Sequence, residues 1–224
     1  MFLIISQSLT FFRAFDSIVS SYQELAGTVL LTLHAEIRCQ IVQSLSLALS
    51  PSNAPYLLKQ VVNDPDPRIL DINADLVSYE ETTSHFLRDK EVSFIRTGLA
   101  LLVDTYLVTN AGMVSPMNAN GCGRMQLNIL VLQQNLKNIE PNSNLSRAAD
   151  YYDLFMEGAD AVLKKAKESK EKEQKEEFTY DELKTLIELC FSERIADPER
   201  GVSTVARRNM GDCLLQLSEY MWQS

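Results

Sequence analysis

An all-α fold, built as an elongated stack of antiparallel helical bundles, is what this sequence predicts. Apolar residues recur at three- and four-residue spacing over most of its 224 positions. Glycine (8) and proline (7) are scarce, so few breakers interrupt long helices. No stretch reads convincingly as a strand, because apolar triplets such as Ile129 to Val131 sit inside a helical period. The pattern divides into seven or eight helices.

Residues 2–15 read as one amphipathic helix and 17–49 as a much longer one. In the second, Tyr22, Leu25, Val29, Leu33, Ile37, Ile41 and Leu45 form the stripe, and no proline interrupts it. Pro51, Pro55, Pro65 and Pro67 then mark a loop with room for a short helix from Pro55 to Val62. Asn73 is placed to cap a helix over 74–88, with Leu76, Tyr79, Thr83 and Phe86 or Leu87 on one side. Asp89 is placed to cap the next, 90–109, whose stripe is Val92, Ile95, Leu99, Leu102 and Tyr106.

Asn110 to Gly123, rich in asparagine and glycine and holding Pro116, breaks the pattern. The period resumes over 124–139 with Met125, Ile129, Leu132, Leu136 and Ile139, and Pro141 ends it. A helix over 145–165 follows, with Ala148, Tyr151 or Tyr152, Phe155, Ala159 and Val162 inward. Residues 164–177 hold six lysines and five glutamates, a solvated helix extension or a low-complexity linker with i,i+4 pairs Glu168–Lys172 and Glu171–Lys175. Thr179 and Glu182 form a capping box for a helix to about 194, with Leu183, Leu186, Ile187 and Cys190 inward. The last helix covers 203–221 with Val205, Met210, Leu214, Leu217 and Met221. The chain thus divides into a bundle over 1–142 and a second over 143–224, which carries the charged linker.

A net charge of −9 and the lack of any long basic block disfavour nucleic acid and anionic lipid as direct partners. Met1 to Ser6 is apolar but lacks a basic leader, and His34, Glu36 and Arg38 follow the apolar run from Leu25 to Leu33, so neither reads as a signal peptide or a membrane span. An apolar opening stretch also predicts neighbours outside the sequence that would cover Phe2, Phe11 and Phe12. The cysteines, Cys39, Cys122, Cys190 and Cys213, lie at least 23 positions apart and read as reduced and mostly buried, in a cytosolic setting.

Motifs that carry chemistry are incomplete. His34-Ala35-Glu36 matches half of a zinc deaminase signature but lacks the downstream paired cysteines that close the metal shell. His85 is the other histidine, and without paired spacing neither a zinc site nor a Cys–His dyad is expected. Gly121-Cys122-Gly123 lacks the rest of a phosphate loop and reads as a turn before the next helix. Asp64, Asp66 and Asp71 lack the calcium-loop spacing and read as turn and capping residues. Of the aromatic pairs Tyr151-Tyr152 and Tyr220-Met221-Trp222, core packing accounts for one member each, and an exposed member is free to anchor a partner. No catalytic, cofactor-binding or metal-ligating residue is assigned.

Four stretches carry a resemblance in collinear order. They are LLTLHAEIRCQI at 30–41, DPDPRILDINADLVSYEE at 64–81, FIRTGLALLVDTYLVTNA at 94–111 and RMQLNILVLQQNLKNI at 124–139. Together with residues 151–163 and the helix start at Tyr180 to Leu183, they resemble the C-terminal region of the exocyst complex component four family. The Lys/Glu run departs from that pattern as a local insertion.

The resemblance implies a rod of stacked helical bundles of the tethering-complex type. It also implies a non-catalytic role in linking secretory vesicles to the plasma membrane before fusion. Partners would be other exocyst subunits, with small GTPases or fusion-machinery proteins reached through the assembled complex. No cofactor, nucleic acid or direct membrane insertion would be involved, and the protein would be cytoplasmic and peripheral at sites of secretion. A scaffold subunit of a Golgi or endosomal tether is the alternative.

Overall fold

Phe2–Leu49 form a single helix, α1, of 48 residues, roughly 72 Å long at about 1.5 Å per residue. The break expected near residue 16 is absent, because neither proline nor glycine occurs between residues 2 and 26. Along the exposed part, Ser21, Thr28 and Thr32 turn their hydroxyls back onto carbonyls one turn earlier, at 2.9 to 3.0 Å. The structure, a computed structural model, describes residues 2–50, 52, 55–171 and 177–222, and their side chains except those of 2–12 and 169–171. The expectations for Phe2, Phe11 and Phe12 and for the pairs Glu168–Lys172 and Glu171–Lys175 fall outside the described side chains.

The proline-rich segment is extended where a short helix over 55–62 was expected. Tyr56 pairs with Met117 in an isolated parallel bridge, and Asn118 brackets Leu58, accepting from its N–H at 3.2 Å and donating to its carbonyl at 2.8 Å. Helix α2 (Pro67–Phe86) then starts seven residues earlier than expected. Asp66 is its N-cap, accepting from the Arg68 amide at 3.0 Å, and Pro67 stands at N1, where its missing N–H costs nothing. Asn73, the expected cap, lies buried within the helix. Arg68 in turn donates to the Leu47 carbonyl at 2.7 Å, satisfying one of the open acceptors at the end of α1.

The helix expected over 90–109 is two helices, α3 (Asp89–Arg96) and α4 (Leu99–Thr109). Gly98 separates them at φ 82°, a left-handed conformation that a side chain would resist. Asp89 is the first residue of α3 and not its cap. A 3-10 turn, Ala111–Val114, leads to α5 (Ala119–Ile139), capped by Asn118. Gly121 and Gly123 therefore lie inside the first turns of a helix and are not a preceding turn. Gly158, at φ 93°, splits the helix expected over 145–165 into α6 (Ser146–Glu157) and α7 (Ala159–Glu171). Helix α8 (Tyr180–Ile195) begins at the expected capping box, and α9 (Arg200–Trp222) folds back against it. The described residues thus form nine α-helices and one 3-10 turn, all-α as expected. One fusion and two splits turn the eight helical ranges expected, apart from the short one at 55–62, into nine.

One apolar cluster runs through the bundle, from Ile37 on α1 to Leu217 on α9. The stripe Met125, Ile129, Leu132, Leu136 and Ile139 of α5 is buried throughout, as its spacing predicts. Helix α6 packs on both α4 and α5. There Tyr152 donates to the Leu107 carbonyl at 3.1 Å, and Asp104 accepts from the Ala148 amide at 2.8 Å, supplying the cap that α6 lacks from its own sequence. Among the described residues two helical stretches, Arg13–Leu49 and Asp89–Thr109, are by length and composition long and apolar enough to cross a membrane. The second is interrupted at Gly98 and buries Leu99, Val103, Leu107 and Val108 in the core.

Candidate interaction surface

The motif residues are dispersed over packed and solvated faces. The His34 ring stacks on Phe94 with centroids 4.9 Å apart, and its Nδ1–H donates to the Phe94 carbonyl at 3.1 Å. One turn on, Arg38 donates to the His34 carbonyl at 2.8 Å, to the Ile95 carbonyl at 3.1 Å and to the Thr97 carbonyl. The two side chains thus close the C-terminal end of α3 and fasten it to α1. Glu36 is exposed, and His85 lies exposed on α2 beside Phe86. Among the described residues no three His, Cys, Asp or Glu side chains gather closely enough to hold a metal ion.

All four cysteines are free thiols. Cys122 is buried and donates its thiol to the Tyr152 carbonyl at 3.2 Å, whereas Cys39 is exposed, contrary to the expectation of mostly buried thiols. Burial pushes Cys122 and Cys190 up to about 12, and Cys213 upward as well, so these thiols stay protonated at neutral pH. Of the three aspartates Asp64, Asp66 and Asp71 only Asp66 is buried, and Asp71 lies within α2 rather than in a turn. The Asp66 amide donates to Asn128 at 2.8 Å and its carboxylate faces Arg124 at 3.6 Å, a buried polar joint between α2 and α5. Tyr151 and Tyr152 are both buried, so neither is available to a partner. Tyr151 donates to the Glu182 carbonyl at 2.8 Å. Trp222 is 73% exposed and makes an edge-on contact with Tyr180.

What remains open to a partner is helix surface. The N-terminal part of α1 carries Phe15, Ile18, Tyr22, Leu25 and Val29 in the solvent, whereas Ile37, Ile41 and Leu45 further along are buried. The sequence stripe included Tyr22, Leu25 and Val29 as core, but no described element reaches that far along α1. A second face is a cleft of about 690 Å³ between the Gly158 turn and the α8–α9 pair, lined by Phe155, Met156 and Phe191 together with Glu157, Asp160 and Asp212. Both lie along the outer faces of helices.

No protein-family model matches the chain. Over 245 aligned residues it is 52% identical to a Neurospora crassa protein described as a probable exocyst complex component sec8, a match that takes in 94% of this chain. The chain belongs to the sec8/exocyst complex component 4 family. It is also 29% identical over 153 residues to human exocyst complex component 4, and 22% identical over 190 residues to the exocyst complex component sec8 of Schizosaccharomyces pombe, matches that cover 67% and 84% of this chain. The chain spans 22%, 16% and 17% of those three relatives' lengths. The resemblance drawn from the four sequence stretches to this exocyst family is borne out. The all-helical fold described above is that of the segment these relatives match in sequence.

Proposed function

We propose that this chain is the C-terminal part of a non-catalytic exocyst subunit that helps tether secretory vesicles to the plasma membrane before fusion. The 52% identity across nearly the whole chain to a sec8 protein is the observation that carries this reading. Its working part is the outer surface of a helical rod in two successive parts, 1–142 and 143–224. Long amphipathic helices bury one face on each other and leave the opposite face for other subunits. Other exocyst subunits are the direct partners, and small GTPases or fusion-machinery proteins are reached through the assembled complex. The setting is cytoplasmic and peripheral, at sites of secretion.

Affinity purification of the full-length polypeptide should recover the other exocyst subunits, and depletion should leave secretory vesicles accumulating beneath the plasma membrane. Recovery of none of those subunits, or accumulation of vesicles at the Golgi instead, would overturn the proposal.

A further inference from the structure

Phe15, Ile18, Tyr22, Leu25 and Val29 follow one another at gaps of three and four on α1, and each is about half exposed or more, Tyr22 at 70%. Such spacing presents a continuous apolar seam of the kind that a second helix fills with interlocking side chains. A contiguous exposed apolar face on a soluble helix marks a contact site.

We propose that this seam is the docking face for another helix of the same polypeptide, supplied by the part of a sec8-type protein that lies outside these 224 residues. The proposal rests on the family reading above. The relatives extend far beyond the matched stretch, which is only 22% of the Neurospora crassa protein and 16% of the human one, so most of such a chain is available to supply the helix. The seam is also continuous with an interface already formed. It runs through half-buried Leu33 into Ile37, Ile41 and Leu45, which pack in the core. The covering elements end near Leu33, where Tyr79 on α2 donates to the Leu33 carbonyl at 3.0 Å, and near His34, which meets the Phe94 carbonyl of α3. From Val29 back to Phe15 the seam of α1 is bare.

The occupant is a helix and not a bilayer. The seam is a stripe, and Asp16, Ser17, Ser20, Gln23, Glu24 and Thr28 occupy the other faces of the same turns. Between residues 13 and 33 the charges are Arg13, Asp16 and Glu24, an acidic balance that an anionic lipid surface repels. A segment of the same polypeptide is favoured over a second copy because tethering raises its effective concentration at the seam. The matching helix needs apolar residues at the same spacing over four turns, roughly 22 Å, to cover Phe15 to Val29.

The experiment places the photocrosslinker p-benzoylphenylalanine at Tyr22 in the full-length polypeptide within its assembled complex, with the same substitution at exposed Val61 as the control. The expected result is crosslinks from position 22 to residues of the same polypeptide outside this chain, with background yield from position 61. Crosslinks to a different subunit, to a second copy or to lipid would overturn the proposal, as would background yield at position 22. Failure of the family role reads differently, since other exocyst subunits would then be missing from the purified complex whatever position 22 touches. As a second arm, Leu25→Asp should lower the melting temperature of the full-length protein, whereas Val61→Asp at an exposed position off the seam should leave it unchanged. Equal melting temperatures for the Leu25→Asp and native full-length forms would overturn the proposal.

Discussion

Arg147, near the start of α6, and Glu182, in the first turn of α8, meet at 2.5 Å, and the contact is held from several sides. The Arg147 guanidinium also lies 5.3 Å from the centre of the Phe178 ring and donates through Nε to the Glu177 carbonyl at 3.1 Å. Glu182 accepts from the Thr179 amide at 2.8 Å, closing the capping box of α8. One ion pair therefore joins a local helix cap to the packing of α6 against α8. Arg147→Ala leaves the Glu182 carboxylate, whose side chain is 7% exposed, without its cation. The expected cost is about 2–3 kcal/mol in urea unfolding, the range for a charged hydrogen bond lost at a buried acceptor. Arg147→Lys keeps the charge but not the fork or the ring contact, so an intermediate loss is expected.

The same carboxylate sets a pH dependence. Burial pushes the Glu182 carboxyl up, but the Arg147 guanidinium and the Thr179 amide and hydroxyl outweigh it and hold the group below its ordinary value. A carboxylate depressed in the folded state contributes stability above the ordinary carboxylate range and loses it as pH falls through the folded value. Glu182→Gln should therefore melt below the native chain near about pH 7, with the gap closing towards about pH 3. A gap of constant size across that range would contradict the assignment. Asp104 behaves oppositely. Burial raises it despite the Ala148 amide and nearby Arg147, so its ionised form opposes folding and protonation in acid relieves that cost. Asp104→Asn should remove this relief while an amide oxygen still caps α6.

Leu132 is fully buried at the middle of α5. Leu132→Ala should cost roughly 2–5 kcal/mol through lost contacts and a residual cavity. Leu132→Asp should abolish cooperative unfolding, because an unpaired charge would sit in the core. A thermal melt unchanged by either substitution would remove α5 from the core.

Gly121 and Gly123 give a paired test. A Cβ at Gly121 would stand 1.8 Å from the Tyr56 carbonyl oxygen, closer than any atom tolerates, so the 55–58 segment or α5 must move. A Cβ at Gly123 meets nothing within 4 Å. Gly121→Ala should destabilise the chain in chemical denaturation. Gly123→Ala should stabilise it by roughly 0.5–1 kcal/mol, because alanine loses less backbone freedom in a helix.

Several parts of this architecture are written in local pattern alone. The α5 stripe is buried as its spacing predicts, and the Thr179–Glu182 box opens α8, because both depend on neighbours within one or two turns. The start of α2 was also legible in Asp66-Pro67, a cap followed by proline at the first helical position, although Asn73 was preferred. The collinear segments between 30 and 139 carried the family, since they form a string rather than a shape.

Other features depend on contacts distant in sequence. Periodicity marks a helix face as apolar but not what covers it, so Tyr22 and Ile41 belong to one stripe while the first is 70% exposed and the second 3%. The breaks at Gly98 and Gly158 arise because α3 and α4, and α6 and α7, turn to follow the core, and glycine only permits the left-handed residue that each turn needs. Asp104 became a helix cap, Arg38 a fastening between α1 and α3, and Gly121 a point of close approach through partners 44, 57 to 59 and about 65 positions away in the chain. The composition and spacing of the residues settled that this protein is helical and acidic. Which apolar faces meet, and which stay bare for a partner, was decided by packing, because burial is a property of the neighbours a side chain acquires and not of the side chain.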